Sequence, residues 1–205
     1  MKKYLCIISS FFLLSITLAA NAQNTVALSY EYMDVSGERA YKASHNRNDS
    51  DTNSRYVPRI SWYGKYLEHL ELGASYAHIT NLQTDGVSGN SGIFNEGGVV
   101  LPVVTPYKIT EDIHDFTVFG GFNLNVNPRI SISLGPELHY FKSKATFKDS
   151  KKTIRKFKSN DWRMGFYSRL TYDLGKNWII QSNYRFAKLP KRKAHFLGIG
   201  VGVKF

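Results

Sequence analysis

Apolar and polar residues alternate one by one along most of this chain, and a side-chain period of two belongs to the β-strand. From residue 24 onward no window places apolar residues at i, i+3, i+4 and i+7, so the body of the chain is predicted to be all β. The first strand sets Val26, Leu28, Tyr30 and Tyr32 against Ala27, Ser29, Glu31 and Met33. In the second, Tyr56, Ile60 and Trp62 oppose Arg59 and Ser61, and in the third Leu70, Leu72, Ala74 and Tyr76 oppose Glu71, Gly73, Ser75 and Ala77. Phe116, Val118, Phe122 and Leu124 mark a fourth strand, and a fifth alternates Ile132, Leu134, Leu138 and Tyr140 with Ser131, Ser133, Glu137 and His139. The sixth alternates Trp162, Met164, Phe166 and Leu170 with Arg163, Gly165, Tyr167 and Arg169. The last two place Trp178, Ile180, Tyr184 and Phe186 against Gln181, Asn183 and Arg185, then Leu197, Ile199, Val201 and Val203 against Gly198, Gly200 and Gly202.

Each stretch is about ten residues long, the length a tilted strand needs to cross a hydrocarbon core. The connections alternate between short turns at 64–69, 127–129 and 175–177 and long loops at 37–54, 83–115 and 143–160, with a smaller one at 189–193. An even number of antiparallel strands with tight turns at one end and long loops at the other predicts an eight-stranded up-and-down transmembrane β-barrel. Tyr32, Trp62, Tyr66, Tyr140, Trp162, Tyr172, Trp178, Phe186 and Phe205 would form its two aromatic girdles. A soluble sandwich would also alternate, but its polar face would be rich in Lys and Thr. Here that face is Gly, Ser, Asn, Arg and Glu, as expected of a packed lumen. Charges enclosed there need partners, and Glu31, Glu71 and Glu137 are expected to meet Arg59, Arg163, Arg169 and Arg185. Pro58 and Pro136 fall inside strands and are expected at a bulge or at the outer rim.

Composition closes off other classes. A mean hydropathy of −0.30 excludes a bundle of membrane helices, and 14% aromatic residues exclude a disordered polyelectrolyte. Residues 1–22 read as a secretory signal peptide, with Lys2 and Lys3 ahead of an apolar run and Ala20-Asn21-Ala22 at the cleavage site. The barrel domain is then 23–205, its net charge falls from +11 to +9, and Cys6 leaves with the leader. No disulfide and no cysteine-based metal site remain.

With those residues in place, the chain resembles the small outer-membrane barrels of Gram-negative bacteria, of the OmpA, OmpX and opacity-protein type. Its sharpest local element is the end, where Gly200, Val203 and Phe205 match that family's C-terminal assembly signal. The resemblance implies insertion by the barrel-assembly machinery, a place in the cell outer membrane and contact with lipopolysaccharide; a monomer is expected.

Some barrels of this size are enzymes that modify lipid A, and the resemblance then implies a His with a Ser near the outer mouth. The nearest approach here is His78-Ile79-Thr80, which is not such a pair, so no catalytic residue is assigned. No His pair sits at ligand spacing, and neither metal nor cofactor is expected. A narrow channel stands as a further alternative. The charge itself is local. Between Lys142 and Lys158 lie Lys144, Lys148, Lys151, Lys152, Arg155 and Lys156 with Asp149 as the one acid, and Lys191, Arg192 and Lys193 extend a second basic loop. Lys148, Lys151, Lys152, Arg155, Lys156, Lys158, Lys191, Arg192 and Lys193 are therefore the expected polyanion-binding residues. Lipopolysaccharide phosphates and host-surface polyanions, rather than nucleic acid, are the expected partners, giving a structural or surface-interaction role.

Overall fold

The computed structural model describes residues 23–36, 54–67, 69–94, 100–149, 154–189 and 192–205. The signal segment, the polar loop at 37–53, and Lys151, Lys152 and Lys191 lie outside them. Eight strands run in chain order: β1 Gln23–Ser36, β2 Arg55–Leu67, β3 Leu70–Phe94, β4 Val100–Asn127, β5 Ile130–Asp149, β6 Ile154–Asp173, β7 Trp178–Leu189 and β8 Arg192–Lys204. Every neighbour pair is antiparallel and β8 returns to β1, closing the barrel. The closure is tied at the short-turn end, where Asn24 N donates to Phe205 O and Phe205 N to Asn24 O. A closed sheet leaves no row of unpaired backbone groups, which hydrocarbon would not tolerate.

Alternation decides which residues enter the lumen. Val26, Leu28, Tyr30, Val118, Phe122, Leu138, Phe166, Ile180 and Ile199 are exposed on the outer face, while Ser29, Glu31, Arg59, Glu71, Thr117, Ser133, Arg169 and Arg185 are buried inside. Above the level of Phe116, Tyr140 and Trp162 the sense reverses. On β5, Phe141 and Ala145 point inward and are buried, whereas Lys142, Lys144 and Lys148 point outward and are exposed. On β4, Ile109 and Ile113 are inside while Lys108 is outside, and on β7 and β8 Ala187, Ala194 and Phe196 are inside while Lys188 and Lys193 are outside. Met33, Val35, Val57, Ala77, Ile79 and Leu82 join Ile113, Phe141, Ala187, Ala194 and Phe196 in one apolar cluster that caps the polar lumen. Below the girdle the sheet has a lipid-facing exterior and a polar interior. Above it the same sheet has a watery exterior and an apolar interior.

That reversal corrects three of the expected loops. Residues 83–115, 143–160 and 189–193 are mostly strand: β3 and β4 pair up to Phe94↔Val100, β5 and β6 up to Lys148↔Ile154, and β7 and β8 up to Leu189↔Arg192. Among their described inward residues Ile109, Ile113 and Ala145 are apolar and buried, so the ladders continue as ribbons beyond the girdle. Pro136 also departs from expectation, because it pairs with Phe166 in unbroken β5–β6 register, at neither a bulge nor the rim. On its other side the β4–β5 pairs lapse between Phe119↔Glu137 and Phe122↔Leu134 without a change of register, so its missing N–H falls where the ladder is already open. Pro58 pairs with Tyr30 on the β1 side, and the β2–β3 ladder begins only at the next residue, Arg59↔Ala77.

Gly121 and Gly135 face each other across the open stretch of β4 and β5. A Cβ on Gly121 would come within 2.3 Å of Leu134 O and 2.6 Å of the Tyr167 hydroxyl, closer than any side chain can sit. The absence of a side chain there makes room for the buried Tyr167 ring. Gly121→Ala is expected to cost about 1–3 kcal/mol through this overpacking, read as a lower urea midpoint for the folded band in a gel-shift unfolding series. Lys176→Ala in the exposed β6–β7 turn should leave that midpoint unchanged.

Candidate functional site

Two regions carry chemistry, the lumen and the outward face of the ribbon above the girdle. In the lumen the barrel brings Glu31, Glu71, Glu137, Arg59, Arg169 and Arg185 together, all essentially without solvent contact. Arg59 Nε lies 2.8 Å from Glu31 Oε2, and its Nη2 lies 2.8 Å from Asp115 Oδ2. Nη1 of the same guanidinium donates to Ser75 Oγ at 3.1 Å. Arg185 bridges Glu137 and Glu31, with Nε 3.4 Å from Glu31 Oε1. His139 Nδ1 sits 2.9 Å from Asp115 Oδ1, while its Nε2 is 3.3 Å from Glu137 Oε2 and off the hydrogen-bonding direction. Three carboxylates thus face two guanidiniums and one imidazole, and the imidazolium form balances the count.

A second group lies nearer the short turns. Arg169 pairs with Glu71, which also accepts from the Tyr167 hydroxyl at 3.1 Å and from Ser133 Oγ at 3.0 Å. The Arg169 guanidinium stacks over the Tyr63 ring, 3.6 Å from its centroid, and the Tyr63 hydroxyl donates to Gln181 Oε1 at 2.9 Å. Arg163 does not join either group. It pairs with Asp161 on its own strand, half-exposed beyond the network.

Sequence reasoning left Asp115 at the end of a loop, and it set His139 on the inward face of the fifth strand without counting it in the charge network. The signal for His139 was its inward parity with Ser133 and Glu137; Asp115 shares the parity of Thr117 and needed only one more residue of strand. Thr117 Oγ1, His139 Nδ1 and Asp115 Oδ1 lie within 3.0 Å of one another, an arrangement that resembles a nucleophile–base–acid set. All three are buried in the ion network, where no substrate reaches them. His78, the other candidate base, stacks on His114 with centroids 4.3 Å apart on the outer face.

Above the girdle, cross-strand pairing arranges the lysines of β5 and β6. Lys144 stands directly opposite Lys158, Thr146 opposite Lys156, and Lys142 opposite Asn160. Lys142, Lys144, Lys148, Lys156 and Lys158 are all exposed on the outward face. On the β4 side Lys142 neighbours His114 and Lys144 neighbours Asp112. Slight burial, then the charge of His78, Lys144 and Lys142, push the His114 imidazole below its ordinary pKa. The ledge rises directly above Tyr140 and Trp162, whose rings lie 4.8 Å apart. Arg155 and Arg192 are placed on their strands by backbone, and Lys193 is exposed beside Lys188 across the β7–β8 pair.

A closed eight-stranded antiparallel barrel with an apolar belt, an aromatic girdle and an ion-paired lumen defines the class: this is the fold of the small outer-membrane β-barrel proteins. The solved structures agree. The chain is similar to Ail, the attachment invasion locus protein of Yersinia pestis, crystallised with the heparin analogue sucrose octasulfate, at 15% identity and a TM-score of 0.53, over 90% of this chain and 99% of that one. It is similar to Neisserial surface protein A at 14% identity and a TM-score of 0.52, over 89% and 97%. A major outer membrane protein of Thermus thermophilus matches at 8% identity and a TM-score of 0.51, over 89% and 99%. No known family's sequence profile matches the chain, and no curated protein is similar to it in sequence.

Because Glu71 is enclosed, removing its partner alone leaves an uncompensated buried charge. Arg169→Met is expected to destabilise the barrel by about 3–5 kcal/mol, and the double variant Arg169→Met with Glu71→Met to recover most of that loss. Equilibrium unfolding of the four members of this cycle measures it. A double-variant loss equal to the sum of the two single losses would show that the pair is not coupled.

Proposed function

We propose that this protein is an outer-membrane barrel with a surface-interaction role, and that its outward basic ledge binds polyanions. The observation that carries the reading is the register of β5 and β6. Like charges placed directly opposite across a sheet destabilise it, yet Lys144 faces Lys158 with Lys142 and Lys156 on the adjoining rungs. A bound anion offsets that repulsion, and an extended, phosphate- or sulfate-bearing chain fits a rising row of ammonium groups. The ledge begins one rung above the aromatic girdle, the level at which lipopolysaccharide phosphates sit beside a barrel. Ail, whose fold this chain shares, was crystallised with a heparin analogue, which makes a sulfated sugar a natural first probe.

Residues 1–22 serve as a cleaved leader, and Gly200, Val203 and Phe205 as the assembly signal, with Val203 and Phe205 exposed on the outer face of the closing strand. Arg155 and Arg192, and Lys151, Lys152 and Lys191 outside the described residues, are further polyanion-binding residues in this reading. The buried side chains of Arg59, Arg169, Arg185, Tyr167 and Phe196 fill the lumen, so planar bilayers holding the protein should show no steady ionic conductance; a persistent conducting level would favour a channel instead.

The triple variant Lys144→Gln, Lys156→Gln, Lys158→Gln tests the ledge. Its retention on immobilised heparin should fall at least tenfold at low salt, and wild-type retention should itself weaken steeply as the Debye length shortens from about 10 Å at 0.1 M salt to about 3 Å at 1 M. Unchanged retention, or retention insensitive to salt, would overturn the reading.

A further inference from the structure

One rung of the outer face runs unbroken across four strands just above the aromatic girdle. Cross-strand pairing sets His78 opposite His114, His114 opposite Lys142, and Lys142 opposite Asn160. The rung beneath it, made of Tyr76, Phe116, Tyr140 and Trp162, is wholly aromatic, and the rung above brings Asp112, Lys144 and Lys158 into line. His78 and Lys142 are exposed and His114 is half-buried. The lysine ledge of β5 and β6 therefore does not end at Lys142. The same rung carries it over β4 to β3, and its last two members are imidazoles.

The two rings lie face to face, with centroids 4.3 Å apart and planes within 7° of parallel. Neutral imidazoles stack in this way freely, but two imidazoliums so placed repel each other. The groups around the pair add to that repulsion more than they relieve it. β5 presents Lys142 and Lys144, and β4 presents Asp112. The β2–β3 ladder ends at Arg59↔Ala77, so β2 presents Arg55 and Tyr56 to His78 across a gap. Among the described residues, three cations and one carboxylate thus surround the pair, and the free protein is held back from charging both rings. Tyr76 orients His114, its hydroxyl lying 2.9 Å from Nδ1. An imidazolium there donates from Nδ1 to the phenol oxygen and keeps its Nε2–H for an anion.

We infer that His78 and His114 are conditional cations of the ledge, so that the polyanion it takes is held more tightly in mildly acidic surroundings than at neutral pH. The inference rests on the reading of the ledge as a polyanion site and adds its regulation. An anion laid along the rung supplies the counter-charge that the stacked pair lacks, so binding draws protons onto the rings. By reciprocity, protons on the rings strengthen binding. Each imidazolium about 4 Å from an anionic group at a wet surface is worth about fivefold in affinity. The ledge lysines stay charged throughout and supply the part of the affinity that does not depend on pH.

Equilibrium binding of the full chain, in dodecyl maltoside, to immobilised heparin tests it between about pH 8 and pH 5, the range in which an ordinary histidine changes charge. Heparin sulfates stay ionised over that range, so the response reports the protein. Wild-type affinity should rise about fivefold or more on acidification. The double variant His78→Gln with His114→Gln, shown to be folded by heat-modifiable gel mobility, should bind as the wild type does at pH 8 and gain nothing at pH 5. His195→Gln, on the far strand β8, should keep the full rise. In the wild type, heparin should also raise the titration midpoints of the His78 and His114 ring resonances. A flat wild-type response, a double variant that still gains, a His195 variant that does not, or unmoved midpoints would overturn the inference while leaving the ledge in place, provided that Lys144→Gln, Lys156→Gln, Lys158→Gln weakens binding at pH 8. If that triple variant binds as the wild type does, the ledge reading falls and this inference falls with it.

Discussion

One sheet here meets lipid along part of its outer face and water along the rest, and that change of solvent dictates which face must be apolar at every height. Below the girdle the exterior needs apolar side chains, which leaves polar and charged groups to the lumen. There they have no water and must satisfy one another. Above the girdle the exterior is hydrated and the interior becomes an ordinary hydrophobic core. Tyr140 and Phe141 sit at the switch on β5: the residues outward of this point are Lys142 and Lys144, those inward of it below are His139 and Glu137.

The ion network follows from that constraint. Burying Glu31, Asp115, Glu137 and Glu71 costs solvation that only matching cations return, and the arginines come from β2, β6 and β7 so that Arg59–Asp115, Arg169–Glu71 and Arg185–Glu137 each join strands that are not neighbours. Arg59 reaches both Glu31 on β1 and Asp115 on β4. Such cross-lumen pairs fix which strand sits beside which, since a slip of one residue would turn every charge out into lipid. The apolar cap above them shuts the lumen from outside water.

Much of this could be read in the sequence. Strand number, antiparallel order and the inward parity of Glu31, Arg59, Glu71, Glu137, Arg169 and Arg185 all follow from the period of two. The ends of the strands did not, because the expected pattern was apolar out and polar in. Where Phe141, Lys142, Ser143, Lys144 and Ala145 keep the period and swap its sense, the run looks like a polar loop. Asp115 was lost to the same misreading. Arg163 had the right parity but sits where Asp161 and solvent meet it first. Pro136 was harder still: the lapse in the β4–β5 ladder that accommodates it depends on Gly121 and Gly135 coming face to face, a tertiary meeting that no local rule contains.

The central claim is that the switch of amphipathic sense marks the membrane boundary. Single cysteines at Leu138, Lys144, Lys158 and Met164, probed on intact cells with a membrane-impermeant maleimide, test it most directly, since the reagent reports water at a chosen rung of a chosen strand. The account predicts labelling at 144 and 158 and none at 138 and 164. Labelling at 138 or 164, or silence at 144 and 158, would contradict it.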